Sequence, residues 1–221
     1  MRELNQLLLD FGSKKNFNDH DYYVSKSNYF AFNIIDKWPK WEKKILNIYG
    51  EKFSGKTHLG NIFKDKSKAL LINQSKIKND LFKEIKIFES IIIDDFNENI
   101  DEKLIYSIFN LVDQDNKYLL INSEIPINEI KFNMPDMSSR SKNCLFAKIE
   151  SPDDDLIFAI ILKNFSDRQI KIEKKIIDFI ISRIDRSYRK IYEFIYKIDE
   201  LSLKKKKPIN LKTIREILQI E

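Results

Sequence analysis

Gly50-Glu51-Lys52-Phe53-Ser54-Gly55-Lys56-Thr57 fits G-x-x-x-x-G-K-[ST], the phosphate-binding P-loop. Its flanks fit as well. Upstream, Lys44 to Tyr49 alternates apolar and polar residues and reads as a short strand. Downstream, Thr57 to Lys64 starts a helical pattern with Leu59, Ile62 and Phe63 on one face. Strand, glycine-bounded loop and helix start are what phosphate binding needs. Loop N–H groups and the helix N-terminus point at the phosphates, Lys56 adds a point charge, and the Thr57 hydroxyl can ligate Mg²⁺. The chain has only four glycines, and three of them lie between Gly50 and Gly60, where the backbone must turn sharply.

A second apolar run, Ile91-Ile92-Ile93, ends in Asp94-Asp95 about 40 residues further on, where P-loop enzymes place the Mg²⁺-holding acid. Acids at the C-terminal edge of a buried strand stand in the crevice where parallel sheets bind ligands. Asp94 is the expected metal ligand, and Asp95 the residue to polarise an attacking water. Asn122-Ser123 closes a further strand, placed to sense a γ-phosphate or simply to form a turn. Arg140, in Asp136 to Ser141, precedes a fifth strand and could complete a nucleotide site across a subunit interface.

Apolar runs at 44–49, 68–73, 90–95, 118–123 and 145–149, separated by helical patterns, predict a five-stranded parallel sheet with flanking helices. Phe30, Ile34, Ile35 and Trp38 recur at helical spacing ahead of Pro39, which ends that helix. Glu124 to Asn143 reads as a loop. Beyond Ser151-Pro152 only helical patterns appear: Asp153–Phe165, Glu173–Arg183, Ser187–Leu201 and Asn210–Gln219. The expected organisation is a tail over residues 1–25, an α/β nucleotide-binding domain over 26–151 and a small all-α lid over 152–221.

Composition narrows the function. The 221 residues carry 39 basic and 34 acidic side chains, interspersed, so a net charge of +5 is no strong case for nucleic acid. The one dense basic run, Lys204 to Lys207, reads as a solvated loop. No apolar run reaches membrane-span length, and the polar N-terminus is no signal peptide. A single cysteine, Cys144, precludes an internal disulfide, and two histidines are too few for a His-based metal site. A cytoplasmic protein without membrane contact is the expectation.

This order of features resembles the DnaA/Hda group of AAA+ ATPases, along most of the chain. Tyr23 to Ala31 is similar to the segment before the family's first strand, making Asn28 the implied adenine-facing residue. Gly50 to Leu59 matches its P-loop with the Lys-Thr-His-Leu ending, so Gly50, Ser54, Gly55, Lys56, Thr57 and His58 are implied contacts to ADP or ATP with Mg²⁺. Ile93-Asp94-Asp95 matches the second acidic motif, and Asn122 to Pro126 the first sensor, with Asn122 where threonine is usual. Met137 to Arg140 matches the Leu-x-Ser-Arg box, which makes Arg140 an arginine finger acting in trans. Asp185 to Ile191 falls at the second sensor, with Arg189 preferred over Arg186. Glu51, Lys52 and Phe53 replace small residues common in the family's loop.

The short build resembles the regulatory branch rather than the initiator, whose DNA-reading domain follows the lid. That branch docks on the sliding clamp through an N-terminal peptide, and Gln6-Leu7-Leu8-Leu9-Asp10-Phe11 has the Q-L-x-L-x-[LF] form, with Gln6, Leu7, Leu9 and Phe11 as implied contacts. The implied partners are DnaA and the sliding clamp, with DNA reached only through the clamp and self-assembly left open. The implied activity is stimulation of ATP hydrolysis on DnaA, with weak turnover of its own. A helicase-loader-type ATPase and a non-catalytic DnaA-like scaffold are the alternatives.

Overall fold

The computed structural model describes residues 22–78, 80–168, 170, 172–205 and 211–218. The segment expected as a docking peptide, with Gln6, Leu7, Leu9 and Phe11, lies outside the described residues.

Five strands form one parallel sheet: β1 (Ile45–Tyr49), β2 (Leu70–Asn73), β3 (Ser90–Phe96), β4 (Tyr118–Ser123) and β5 (Leu145–Lys148). Their order is β2-β3-β4-β1-β5, so the P-loop strand lies between β4 and β5. Each β-strand side chain alternates between faces, and both faces are apolar. Ile91, Ile93, Leu119 and Ile121 join one buried cluster, with Ile105, Ile108, Phe109 and Val112 of α4 (Glu102–Gln114). Leu46, Ile48, Ile92, Leu120 and Ala147 join the other, with Ala31 and Ile35 of α1 (Tyr29–Asp36) and Leu59, Ile62 and Phe63 of α2 (Lys56–Ser67). Burying a large aliphatic side chain contributes about 1.5–3 kcal/mol, and two such faces explain why these strands read as continuous apolar runs. The short α3 (Leu81–Ile85) connects β2 to β3.

The span expected as a loop, 124–143, contains a helix. Alpha-helix α5 (Pro135–Lys142) starts with Pro135 at a position that needs no N–H and with Asp136 in its first turn. Glu102 anchors the approach, accepting from the Asn133 and Met134 amides at 2.8 Å each. Met137 and Ser141 face inward, and Arg140 lies on this helix.

Four helices follow: α6 (Asp154–Asp167), α7 (Lys174–Ile181), α8 (Tyr188–Lys205) and α9 (Leu211–Leu218). They share a cluster of their own, in which Ile191, Phe194, Ile195 and Ile198 form one face of α8 against Ile157, Ile161, Phe165, Ile180 and Ile214. Leu156 and Tyr188 instead pack into the sheet's second cluster, so α6 and α8 are seated on the α/β core at their first turns. Because α8 runs to Lys205, the first half of the basic run is helical rather than loop; Lys206 and Lys207 lie outside the described residues. No helix among the described residues is long and apolar enough to cross a membrane.

Candidate nucleotide site

The loop between β1 and α2 is held from beneath. The Gly50 amide donates to the Ser123 carbonyl of β4 at 3.3 Å, and a Cβ on Gly50 would lie 2.8 Å from the Ile149 carbonyl oxygen, so only glycine fits. Gly55 caps α2 with φ +93°, the left-handed conformation that glycine adopts without strain. Lys56 Nζ donates to the carbonyls of Gly50 (2.7 Å) and Glu51 (2.9 Å), which holds the ammonium over the loop. Burial pushes its pKa down, against the opposing pull of Glu124, Asp94, Asp95 and Glu51. The buried Ser54 hydroxyl has no hydrogen-bond partner among the described residues.

The β3 strand end brings in the acids and the β4 strand end an amide. Thr57 Oγ1 donates to Asp94 Oδ2 at 2.9 Å, joining two motif residues 37 positions apart. Asn122 Nδ2 donates to Asp94 Oδ1 (2.9 Å) and to the Lys56 carbonyl (3.1 Å). Its Oδ1, also buried, is unpartnered among the described residues. Gly60 on α2 permits this approach, since a Cβ there would meet Asn122 Nδ2 at 3.0 Å. Asn47 of β1 fixes the same strand end, donating to Ser123 Oγ (2.9 Å) and the Ile121 carbonyl (3.0 Å).

Asp95 is placed differently from Asp94. It sits at a register shift between β3 and β4 with φ +57°, and its Oδ2 accepts from Asn73 Nδ2 of β2 at 2.7 Å. It lines the cleft, with a neutral amide already bound. Among the described residues no three His, Cys, Asp or Glu side chains cluster as a metal cage. The Thr57 hydroxyl and Asp94 carboxylate are nonetheless hard oxygen donors beside the phosphate loop, the one-or-two-ligand set that Mg²⁺ uses when phosphates and water complete its shell.

A cleft of about 1190 Å³ runs along these groups. Its floor is Phe53 to His58, its strand-end wall Asp95 to Asn99 and Ser123 to Ile125, and its far wall comes from α6 and α8. The aromatic residues Tyr188, Tyr192 and Tyr196 of α8 line that wall, with Asn164 of α6 and Arg168 at its C-terminal end. Two loop residues cross to α8. Glu51 accepts from Ser187 Oγ (2.5 Å), the Tyr188 amide (2.9 Å) and the Arg189 amide (3.2 Å). Phe53, at φ +70°, stacks on Tyr192 with ring centroids 4.1 Å apart and planes 4° from parallel. Burial acts to raise the Glu51 carboxyl, but the bonds from Ser187, Arg189 and Tyr188 outweigh it and leave the pKa below its ordinary value.

The remaining sequence candidates divide. His58 lines the cleft and meets Tyr22 edge-on, centroids 5.1 Å apart. Asn28 does not line it. Its Oδ1 accepts from the Ser25 amide (2.8 Å) and its Nδ2 donates to the Tyr23 carbonyl (2.9 Å), so its side chain shapes the 23–28 turn instead of facing the cleft. Arg189 is exposed at the start of α8, where its charge helps hold the Glu51 carboxyl low, and Arg186 pairs with Asp154 at 2.9 Å. Arg140 is outside the cleft's lining. It pairs with Asp113 of α4 and lies over the Tyr106 ring, 5.4 Å from its centroid. Sequence reasoning noted Glu51 and Phe53 only as departures from small residues and missed Tyr192 altogether.

No protein-family model matches the chain. The chromosomal replication initiator protein DnaA of Borreliella afzelii (strain PKo) is 26% identical over 212 residues, covering 84% of this chain and 44% of that protein. The chain is homologous to the AAA+ module of DnaA. It therefore spans less than half the length of that relative. Among solved structures, domain III of the Thermotoga maritima initiator DnaA superposes with a TM-score of 0.73 at 20% identity, over 93% of this chain and 97% of that one. AMPPCP-bound DnaA from Aquifex aeolicus gives 0.66 at 18% identity, over 84% and 65%. The fold shared with these DnaA structures is the AAA+ P-loop fold with its five-stranded parallel sheet.

Proposed function

We propose that this chain is an adenine-nucleotide-bound regulator of replication initiation that presents Arg140 to ATP held by a partner DnaA. The observation that carries the reading is the position of Arg140. It is outside the lining of its own cleft, on a helix of its own, with its guanidinium oriented by Asp113 and the Tyr106 ring. A cation so placed has no own phosphate to act on and suits charge stabilisation in a neighbour's site.

The chain's own cleft serves to hold ADP or ATP. Backbone donors of the P-loop and Lys56 take the phosphates, and Thr57 and Asp94 would hold a Mg²⁺ that neutralises phosphate charge. Adenine-nucleotide binding is supported by the DnaA neighbour that carries AMPPCP. Asn122 reaches Asp94 and the loop together, so it couples metal ligand to phosphate loop. Asp95 bonded to Asn73 is consistent with slow turnover in this cleft, since that carboxylate oxygen is already engaged by a neighbouring amide and not by a water. The docking peptide, with Gln6, Leu7, Leu9 and Phe11, would hold the protein on the sliding clamp and so near DNA.

The test is hydrolysis of ATP preloaded on DnaA, with clamp assembled on DNA. The full chain should accelerate it, and deletion of residues 6–11 should abolish both clamp pull-down and acceleration. An equal rate with and without the chain would overturn the proposal.

A further inference from the structure

The P-loop motif leaves its second to fifth positions unspecified, yet two of them here carry large side chains that leave the loop. Glu51 reaches the first turn of α8, 136 residues away along the chain. There it accepts from the Tyr188 and Arg189 amides, two of the donors that a helix N-terminus leaves without intrahelical partners. Ser187 Oγ takes the Lys190 amide at 3.3 Å and donates to Glu51, while its carbonyl takes the Ile191 amide at 3.0 Å. The first turn of α8 is thus capped jointly by its own serine and by a carboxylate of the phosphate loop. A carboxylate is the favoured charge at that end of a helix dipole.

One turn further along the helix, Tyr192 takes the second contact. The Phe53 ring lies parallel to it at 4.1 Å, and both residues line the cleft. Phe53 holds a backbone conformation that a bulky residue rarely adopts and glycine adopts freely. Strain of this kind persists where surrounding contacts over-determine it, and the stack on Tyr192 is such a contact. Two independent contacts, one hydrogen-bonded and one aromatic, therefore tie the phosphate loop to the start of the helix that walls the cleft.

We propose that Glu51 and Phe53 are lid-positioning residues that clasp α8 to the phosphate loop and set how long a bound nucleotide resides. This rests on the reading of the cleft as an adenine-nucleotide site. A ligand whose phosphates lie on the loop leaves through a wall that the loop itself holds shut. Loosening either contact opens that wall, so association and release both accelerate and the equilibrium constant moves less than either rate.

The experiment uses the full chain and fluorescent N-methylanthraniloyl-ADP in stopped flow, with hydrogen–deuterium exchange alongside. Tyr192→Ala and Ser187→Ala alter α8 and leave the loop sequence intact; Tyr192→Phe keeps the stack and is the rescue. The two Ala variants should release nucleotide about tenfold faster, and Tyr192→Phe at the wild-type rate. Exchange at amides 188–192 should rise in the Ala variants while strands β1, β3 and β4 stay protected, which separates clasp loss from general destabilisation. Release that is the same in wild type and both Ala variants overturns this inference alone. Failure of the wild type to bind the probe overturns the nucleotide reading and this inference with it. Added Glu51→Gln and Phe53→Ala should show the same faster release, and their combination with Tyr192→Ala identifies which contact each breaks.

Discussion

Lys56 and Asn122 show how single side chains are committed to the site. The Lys56 ammonium sits above two loop carbonyls, partly desolvated, so its charge is preorganised for phosphate at little structural cost. Lys56→Ala should weaken nucleotide binding by about 10- to 100-fold, the worth of one charge-assisted hydrogen bond. Its melting temperature should stay within a few degrees of wild type, read by titration and thermal melt. Asn122 is the opposite case, fully buried with its amide shared between Asp94 and the Lys56 carbonyl. Asn122→Ala leaves both acceptors without that donor and should lower stability by about 1–3 kcal/mol in urea titration. These two residues were legible in sequence because each follows from a motif and the strand that ends beside it. Asn28 was not. Its amide is consumed by Ser25 and Tyr23, three and five positions away, and a local turn of that kind looks from sequence like a residue available to ligand.

At the scale of elements, burial of both faces made the sheet readable, because its strands are continuous apolar runs. All five strands lie within a residue or two of their apolar runs, because both faces of a parallel sheet demand them. The helices after residue 151 were equally visible through the 3.6-residue period of their inner faces. Helix α5 was hidden because its eight residues hold only one buried apolar side chain, Met137, and its start is fixed by Glu102 from another element. The clasp was hidden for a stronger reason. No local pattern relates Glu51 to Tyr188, and the chemistry appears only when the fold brings a loop to a helix end. It should have a pH signature. The Glu51 pKa is lower folded than its ordinary 4.5, so the unfolded chain takes the proton first as pH falls. Its stabilisation is complete above about pH 5 and is lost as pH falls through the folded value. The difference in melting temperature between wild type and Glu51→Gln should therefore be flat from pH 7 to about 5 and shrink below that. A difference that grows on acidification would contradict the assignment of the carboxylate as the cap.

Across the whole molecule, the phosphate cleft and Arg140 belong to different surfaces. The cleft is closed by α6 and α8, whereas Arg140 is carried by α5, against α4. On the proposed function, one chain would hold its own nucleotide and offer a cation to a neighbour's, the asymmetry that a head-to-tail contact needs. Two clusters, one on each face of the sheet, and a third in α6–α9 lie beneath these elements. The measurement that bears most directly on this account is single-turnover hydrolysis of ATP on DnaA, with clamp on DNA, comparing wild type with Arg140→Ala. Arg140 is about one-third exposed on the outer face of α5, so the variant should fold and bind nucleotide as wild type does. Arg140→Ala should lose the acceleration by about 100-fold or more, the scale of an arginine supplied in trans. Acceleration undiminished by Arg140→Ala would contradict the proposed function.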